Sequence, residues 1–430
     1  MKKFTIPLVV LFALLLSCHN DDDAVAAKPI AGGPEPVETD SLTTIVYTES
    51  VGAAQDFRFT FSTLNAQSVK FNFTGPGDPK FIVEGSNNRD NWLVMTVYNS
   101  NTPAILTDQE FNVGEGTSSF VLQNIDTKFC RVRLLEGQDT AQVFKTLSIE
   151  VQYDGLPKVI KFNGDSLTAG AGSTNGGNLS NLFQADFSDY LVVNDAIGGQ
   201  TSIQILSRQG GVPIVLSVEG NALNGQSQKL ITSLSSNFLS TLADESGRAV
   251  SGKINEKQVI VSEIADNYSI RAVDPYDTSV VQANSVFIPN AADNYKNAVN
   301  VFWIGRNDAS YSGLLSRFTQ ALNLLGTSKR FIAIGILPQT DEVIGNEQYN
   351  NIIAFNNSLR SAYPHNYVET LPPTNAEMAA IGYTPSDTDL TDISLGTFPH
   401  GMKADDTHLN NYGYKIIKNR LKAVFTALGY

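Results

Sequence analysis

The chain has 430 residues, 42% of them hydrophobic and 17% charged, a balance typical of packed globular domains and far from that of disordered segments. Its length calls for two or three domains. A formal net charge of -13 excludes a basic surface for neutralising nucleic-acid phosphates and a purely electrostatic hold on anionic lipid.

Residues 1–17 read as a signal peptide. Lys2 and Lys3 precede an apolar run from Phe4 to Leu16, which is shorter than the roughly 20 residues of a spanning helix. Leu15-Leu16-Ser17-Cys18 resembles a bacterial lipobox, which makes Cys18 the expected lipidation site. Asp21, Asp22 and Asp23 resemble the acidic tag of surface-directed lipoproteins. The expected location is therefore the bacterial cell envelope, in the outer membrane and exposed at its surface through a lipid anchor. Residues 18–42, acidic and broken by Pro29, Pro34 and Pro36, read as a flexible tether. The second cysteine, Cys130, alternates with Val132 and Leu134 and is expected in a core. With two Cys and four His in the whole chain, no metal-site spacing is present.

Residues 43–154 alternate with period two. Phe57, Phe59 and Phe61 are one such set, Val69, Phe71 and Phe73 a second, and Leu147, Ile149 and Val151 a third. This pattern predicts antiparallel strands with one buried face, packed as a β-sandwich. The stretch from Phe81 to Ser86, with Asn91 and Trp92, resembles the central strands of discoidin-like modules, which implies sugar binding. A sandwich acting only as a spacer or assembly surface is the alternative.

Residues 155–430 follow another rule. Val159 to Phe162, Leu191 to Val193, Val299 to Ile304 and Phe331 to Ile336 are short apolar runs, as in a parallel sheet covered on both faces. Leu314, Leu315, Phe318, Leu322 and Leu325 form a helical stripe that Gly326 is placed to end. Ile417, Leu421, Val424 and Leu428 form another on the closing helix. Strands alternating with helices predict an α/β fold. Between about 210 and 289 the pattern is strand-like with little helical period, and predicts a β-rich insertion.

Three apolar runs lead into polar turns rich in glycine: Gly164-Asp165-Ser166, Asn194 to Thr201, and Gly305-Arg306-Asn307-Asp308. Strand ends in an open parallel sheet share one edge, where ligands bind. Serine needs a base to act as a nucleophile. His19 lies in the tether, His365 in a polar turn and His400 in a loop, whereas His408 follows Asp405 and Asp406 directly before the last helix. Asp405, three residues ahead, is the expected orienting carboxylate, ahead of Asp406. The backbone N–H groups of Ser166 and Gly199 and the amide of Asn307 are the expected oxyanion donors. Asp165 and Asn194 are expected supports. Arg306 is expected to be solvated or paired with Asp308.

In this order the segments around Ser166, Gly199, Asn307 and His408 resemble the four blocks of the SGNH (GDSL-type) hydrolases, over about residues 157–430 without the insertion. The resemblance implies a flavodoxin-like three-layer α/β/α fold and a serine esterase that needs neither metal nor organic cofactor. The insertion resembles those in esterases of phage tail fibres and polysaccharide-handling proteins. Surface anchoring beside a sugar-binding sandwich points to an O-acetylated glycan as substrate; a lipid or lysophospholipid ester is the alternative. A catalytically inactive, glycan-binding lipoprotein is the non-enzyme reading. Gly170, Gly172 and Gly176 ahead of Asp195 loosely resemble a dinucleotide fingerprint, but the spacing is off by one and Ser166 would have no role.

Overall fold

The computed structural model describes residues 42–51, 57–77, 79–100, 105–106, 111–112, 116–122, 125–135, 145–225, 227–240 and 247–430. The expected signal peptide, Cys18 and nearly all of the tether lie outside the described residues. Among the described residues no helix is long and apolar enough to cross a membrane.

The period-two segments form strands β1 (Leu42–Val51), β2 (Arg58–Ser62), β3 (Ala66–Gly75), β4 (Lys80–Ser86), β5 (Leu93–Val94) and β6 (Val97–Asn99). They continue with β7 (Ile105–Leu106), β8 (Phe111–Asn112), β9 (Gly116–Leu122), β10 (Phe129–Leu134) and β11 (Lys145–Asp154). One antiparallel sheet has the order β1-β11-β3-β9-β6-β7; the other has β2-β10-β4-β5, with β8 on β4. Along β11 every second residue is fully buried, Leu147, Ile149, Val151 and Tyr153, because alternate side chains point to the same face. These residues meet Phe61, Phe71, Phe73, Phe81 and Val132 in one core shared by both sheets. Each such side chain contributes about 1.5–3 kcal/mol by leaving water. Cys130 belongs to this core, and burial pushes its thiol well above the ordinary range.

The short apolar runs become parallel strands β12 (Val159–Gly164), β13 (Leu191–Asn194), β20 (Val299–Trp303) and β21 (Phe331–Ile334), joined by the short β22 (Tyr367–Val368). Their order is β13-β12-β20-β21-β22. On β20, Val301 and Trp303 pack into one core with helices α2 (Leu179–Asp186) and α9 (Asn411–Ala427). Phe302 and Ile304 point the other way, toward α3 (Ser202–Gln209), α5 (Leu314–Leu322) and α6 (Glu347–Ala362). Both faces of these strands are covered, which explains why apolar residues dominate them.

One helix boundary differs from expectation. Helix α5 ends at Leu322, and Gly326 is not its left-handed cap. A Cβ on Gly326 would lie 2.1 Å from Asn297 Oδ1, so this glycine permits a close chain crossing.

Between α3 and α4 (Ala291–Asn294), strands β14 (Ile214–Val218), β15 (Lys229–Leu234), β16 (Arg248–Ile254), β17 (Lys257–Ile264), β18 (Asn267–Ala272) and β19 (Ser285–Pro289) close into a barrel. Its order is β14-β15-β18-β17-β16-β19, which leaves no free sheet edge. Leu216, Phe238, Val261, Ile270 and Phe287 fill it.

The two-sheet part is seated against the rest of the chain. Asn294 accepts from the backbone N–H of Thr48 at 2.8 Å and donates to Glu49 Oε1 at 2.9 Å. Trp92, singled out above for sugar binding, packs partly buried beside Phe129, Val159, Leu191 and Ala298. Its Nε1–H donates to the Arg89 carbonyl at 2.8 Å, and the Arg131 guanidinium stacks 4.1 Å from its ring.

Candidate active site

Strand β12 runs into a four-residue helix α1 (Ser166–Ala169). Asp165 caps it, accepting from the Leu167 N–H at 3.0 Å, and Gly170 ends it in the left-handed region at φ 97°. A Cβ on Gly164 would fall 1.9 Å from Thr168 Oγ1, so the tight strand-to-helix reversal requires glycine there. This turn places Ser166 at the carboxyl edge of the parallel sheet.

His408 arrives on the loop between the short helical turn His400–Met402 and α9. Its Nε2 lies 2.8 Å from Ser166 Oγ, and its Nδ1 lies 2.8 Å from Asp405 Oδ2. Asp405 Oδ1 also accepts the backbone N–H groups of Thr407 at 2.8 Å and His408 at 2.7 Å. Burial pushes the Asp405 carboxyl up, and the bonds from His408 and Thr407 more than offset this, leaving it below the usual carboxylate range. Asp406 has a different position: its carbonyl accepts from the Thr340 N–H.

The His408 and Ser166 loops are held together by residues that the sequence did not mark. Tyr414 Oη, buried on α9, lies 2.9 Å from the carbonyls of both Leu167 and Ala171 and shares its proton between them. Asn411 accepts from the Thr174 N–H at 2.9 Å and donates to the Thr174 carbonyl at 3.1 Å. Gly172 has φ 84°, and a Cβ there would lie 2.5 Å from the Leu409 carbonyl and 3.1 Å from His408 Cβ.

The second turn lies beside Ser166. Asn194 donates to the Thr168 carbonyl and to Ser180 Oγ, both at 3.0 Å. A Cβ on Gly198 would come within 3.7 Å of Ser166 Cβ, and Gly199 follows at φ 75°. Asp195 is held by two cations, Lys161 at 2.9 Å and Arg208 at 3.0 Å. That ion-pair network, the cap at Gly170 and the crossing at Gly172 give Asp195, Gly170 and Gly172 of the loose dinucleotide pattern structural roles. Arg208 also donates to the Asp195 carbonyl at 2.7 Å and to Gln200 Oε1 at 2.8 Å, so it spans both ends of the turn. Gln200, fully buried, donates to the Phe238 carbonyl of the barrel at 2.8 Å.

The third turn supplies Asn307. Its Nδ2 donates to the Gln200 carbonyl at 3.0 Å and reaches Asp165 Oδ2 at 3.4 Å. The second contact is at the limit of a hydrogen bond, so that hydrogen is the one open to redirection. Burial pushes the Asp165 carboxyl up to about 7, against the pull of the Leu167 N–H, Arg306 and His408. Arg306 pairs with Glu342 through two 2.7 Å contacts, in place of the expected solvation or Asp308 pairing. Asp308 instead accepts the Ser202 N–H at the start of α3, at 3.0 Å.

Ser166, His408, Asp405, Asn307, Asp165 and Asn194 therefore converge, with the Gly198-Gly199 turn alongside; His365 and His400 do not join them. Among the described residues no group of three or more His, Cys, Asp or Glu is arranged to hold a metal ion.

No family model matches this chain. A 190-residue stretch, 44% of the chain, is 26% identical to part of the tail spike protein of Salmonella phage epsilon15 and covers 15% of that protein. Among solved structures, the psychrotrophic esterase EstA from a Pseudoalteromonas species is 12% identical. That match covers 63% of this chain and 97% of the esterase at TM-score 0.32. A lipolytic G-D-S-L family member from Veillonella parvula is 13% identical over 62% of this chain and 97% of its own, at TM-score 0.32. An acetyl xylan esterase from Butyrivibrio proteoclasticus is 12% identical over 89% and 96%, at TM-score 0.28. Likeness this coarse says nothing of what this chain acts on.

Proposed function

We propose that the chain is a serine esterase of the SGNH (GDSL-type) kind, with a three-layer α/β/α catalytic part and Ser166, His408 and Asp405 as its catalytic residues. The carrying observation is the relay of two 2.8 Å contacts from Asp405 through His408 to Ser166. With Nδ1–H donated to the Asp405 carboxylate, Nε2 keeps its lone pair toward the Ser166 hydroxyl, as a general base requires.

Ser166 Oγ attacks the ester carbonyl carbon while its proton passes to His408 Nε2. The negative charge that develops on the carbonyl oxygen is held by the N–H groups of Ser166 and Gly199 and by the Asn307 amide, which turns its weakly bonded hydrogen away from Asp165. Collapse breaks the bond to the alcohol oxygen, and His408 returns the proton to that leaving group. Water then attacks the acyl-enzyme, giving a proton to His408; the acid leaves and Ser166 is re-protonated. Apart from that water, each step uses side chains and backbone of this chain.

The favoured substrate is an O-acetylated glycan met at the cell surface, where acylated Cys18 anchors the chain in the bacterial outer membrane. The short Ser166–His408 contact favours turnover over an inactive glycan-binding lipoprotein.

Hydrolysis of p-nitrophenyl acetate by wild type and Ser166→Ala tests the nucleophile: a loss of about 10³-fold or more is expected, and equal rates would remove Ser166 from the mechanism. Cys18→Ser should release the protein from the membrane fraction; unchanged partitioning would refute the anchor.

A further inference from the structure

A cavity of about 680 Å³ opens between α6 and the segment that follows Asn307, within the roughly 300–1,000 Å³ of small-molecule sites. Arg306 and Asp308 both line it, while Asn307 between them faces Asp165 and Gln200. Two of its lining residues thus flank Asn307, the side-chain oxyanion donor, in the third turn. Its wall is tied to the other side of the site as well. Glu342, which lines the cavity, accepts from the Gln339 N–H at 2.7 Å, and Gln339 Nε2 donates to Thr407 Oγ1 at 2.8 Å, next to His408.

The lining has a definite chemistry. Helix α6 turns one face to the cavity, with Glu347, Gln348, Asn351 and Ser358 at helical spacing. Opposite stand the hydroxyls of Ser310 and Ser312 and the ring of Tyr311, whose centroid lies 5.7 Å from that of Phe355. Arg306 is the one cation among the described lining residues, and Glu342 neutralises it through both carboxylate oxygens. Exposed Glu347 remains as a negative group. Amides and hydroxyls around an aromatic face suit a sugar ring, which has apolar C–H faces and a rim of hydroxyls. A long acyl chain would strand those polar groups, and an anionic sugar would meet the Glu347 carboxylate while Arg306, the lining cation, is already engaged by Glu342.

We infer that this cavity is the subsite for the saccharide part of the ester, and that it selects a neutral glycan over an acidic one. The inference rests on the esterase reading and specifies its substrate class.

The test compares kcat/KM for p-nitrophenyl acetate, an acetylated xylo-oligosaccharide and an acetylated polygalacturonate. Wild type is measured beside Gln348→Ala, Asn351→Ala and Glu347→Lys, all changes at exposed positions of α6. In each alanine variant the ratio of neutral-oligosaccharide to p-nitrophenyl acetate activity should fall about tenfold, chiefly through KM. Glu347→Lys should raise the ratio of polygalacturonate to neutral-oligosaccharide activity. Unchanged ratios in both alanine variants, or a wild type that prefers polygalacturonate, would overturn the subsite. If wild type cleaves none of the three, the esterase reading fails, and calorimetry with the deacetylated xylo-oligosaccharide then decides the cavity alone. Binding weakened by Gln348→Ala and Asn351→Ala supports it; no binding to wild type overturns it.

Discussion

His408 Nε2 stands 2.8 Å from Ser166 Oγ although 242 residues separate them. Gly172 makes that approach possible, since its missing Cβ leaves room for the Leu409 carbonyl. Gly172→Ala would add both that clash and a methyl group at φ 84°. The expected outcome is a loss of roughly 1–3 kcal/mol of stability in urea unfolding together with a fall in kcat/KM on p-nitrophenyl acetate. Wild-type values for both would show that this crossing does not set the contact.

The loop chemistry separates Asp405 from Asp406. In Asp405→Asn the amide still accepts the backbone N–H groups of Thr407 and His408, so the loop persists. Its NH2 group, however, would donate to His408 Nδ1 and place the imidazole proton on Nε2, the wrong nitrogen for a base. Turnover should fall, by less than the ~10⁴-fold seen where such an aspartate is buried, because the Asp405 side chain is 57% exposed. Asp406→Asn should leave kcat within about twofold; a larger effect there than at Asp405 would exchange their roles.

The parts legible in the sequence are those whose signal is local. Val159 to Phe162 and Phe331 to Ile336 announce covered strands by short, mostly apolar runs, and each polar turn is visible because such a run stops at polar residues and glycine. Strand β22 has only two residues, too few for any periodic signal. Gln200, Arg208 and Tyr414 read as ordinary helix or loop residues, because their partners Asp195, Phe238 and Leu167 are brought close only by the tertiary fold. Lys161 is the charge inside an apolar run, and its partner is Asp195 of the second turn. Barrel closure was hidden for the same reason: β14 pairs with β19, about seventy residues on, and alternation says nothing about such pairing.

Buried Asp165 links stability to pH. Burial raises its folded pKa from 3.8 to about 7, so between those values the folded chain binds more protons than the unfolded one. Its stabilising contribution is complete below about pH 4 and is lost as the pH rises toward 7, by about 1.4 kcal/mol per pH unit inside that window. Asp165→Asn keeps an acceptor for the Leu167 N–H and removes the titration. Urea unfolding at pH 5 and pH 8 should show the variant gaining on wild type at the higher pH. The same difference between the two proteins at both values would mean that Asp165 is not buried as a titrating acid.

Asn307 is held at one hydrogen and loosely held at the other, 3.0 Å from the Gln200 carbonyl and 3.4 Å from Asp165 Oδ2. A donor poised in this way does little for the ester ground state and gains its partner as charge develops on the carbonyl oxygen. Asn307→Ala should therefore lower kcat on p-nitrophenyl acetate by about 10²–10³-fold while KM changes little. Asn307→Asp should be at least as damaging, since it sets a carboxylate where negative charge must form and beside Asp165. A change confined to KM in the alanine variant, measured by full saturation curves, would place Asn307 in ground-state binding and leave the oxyanion to the backbone N–H groups.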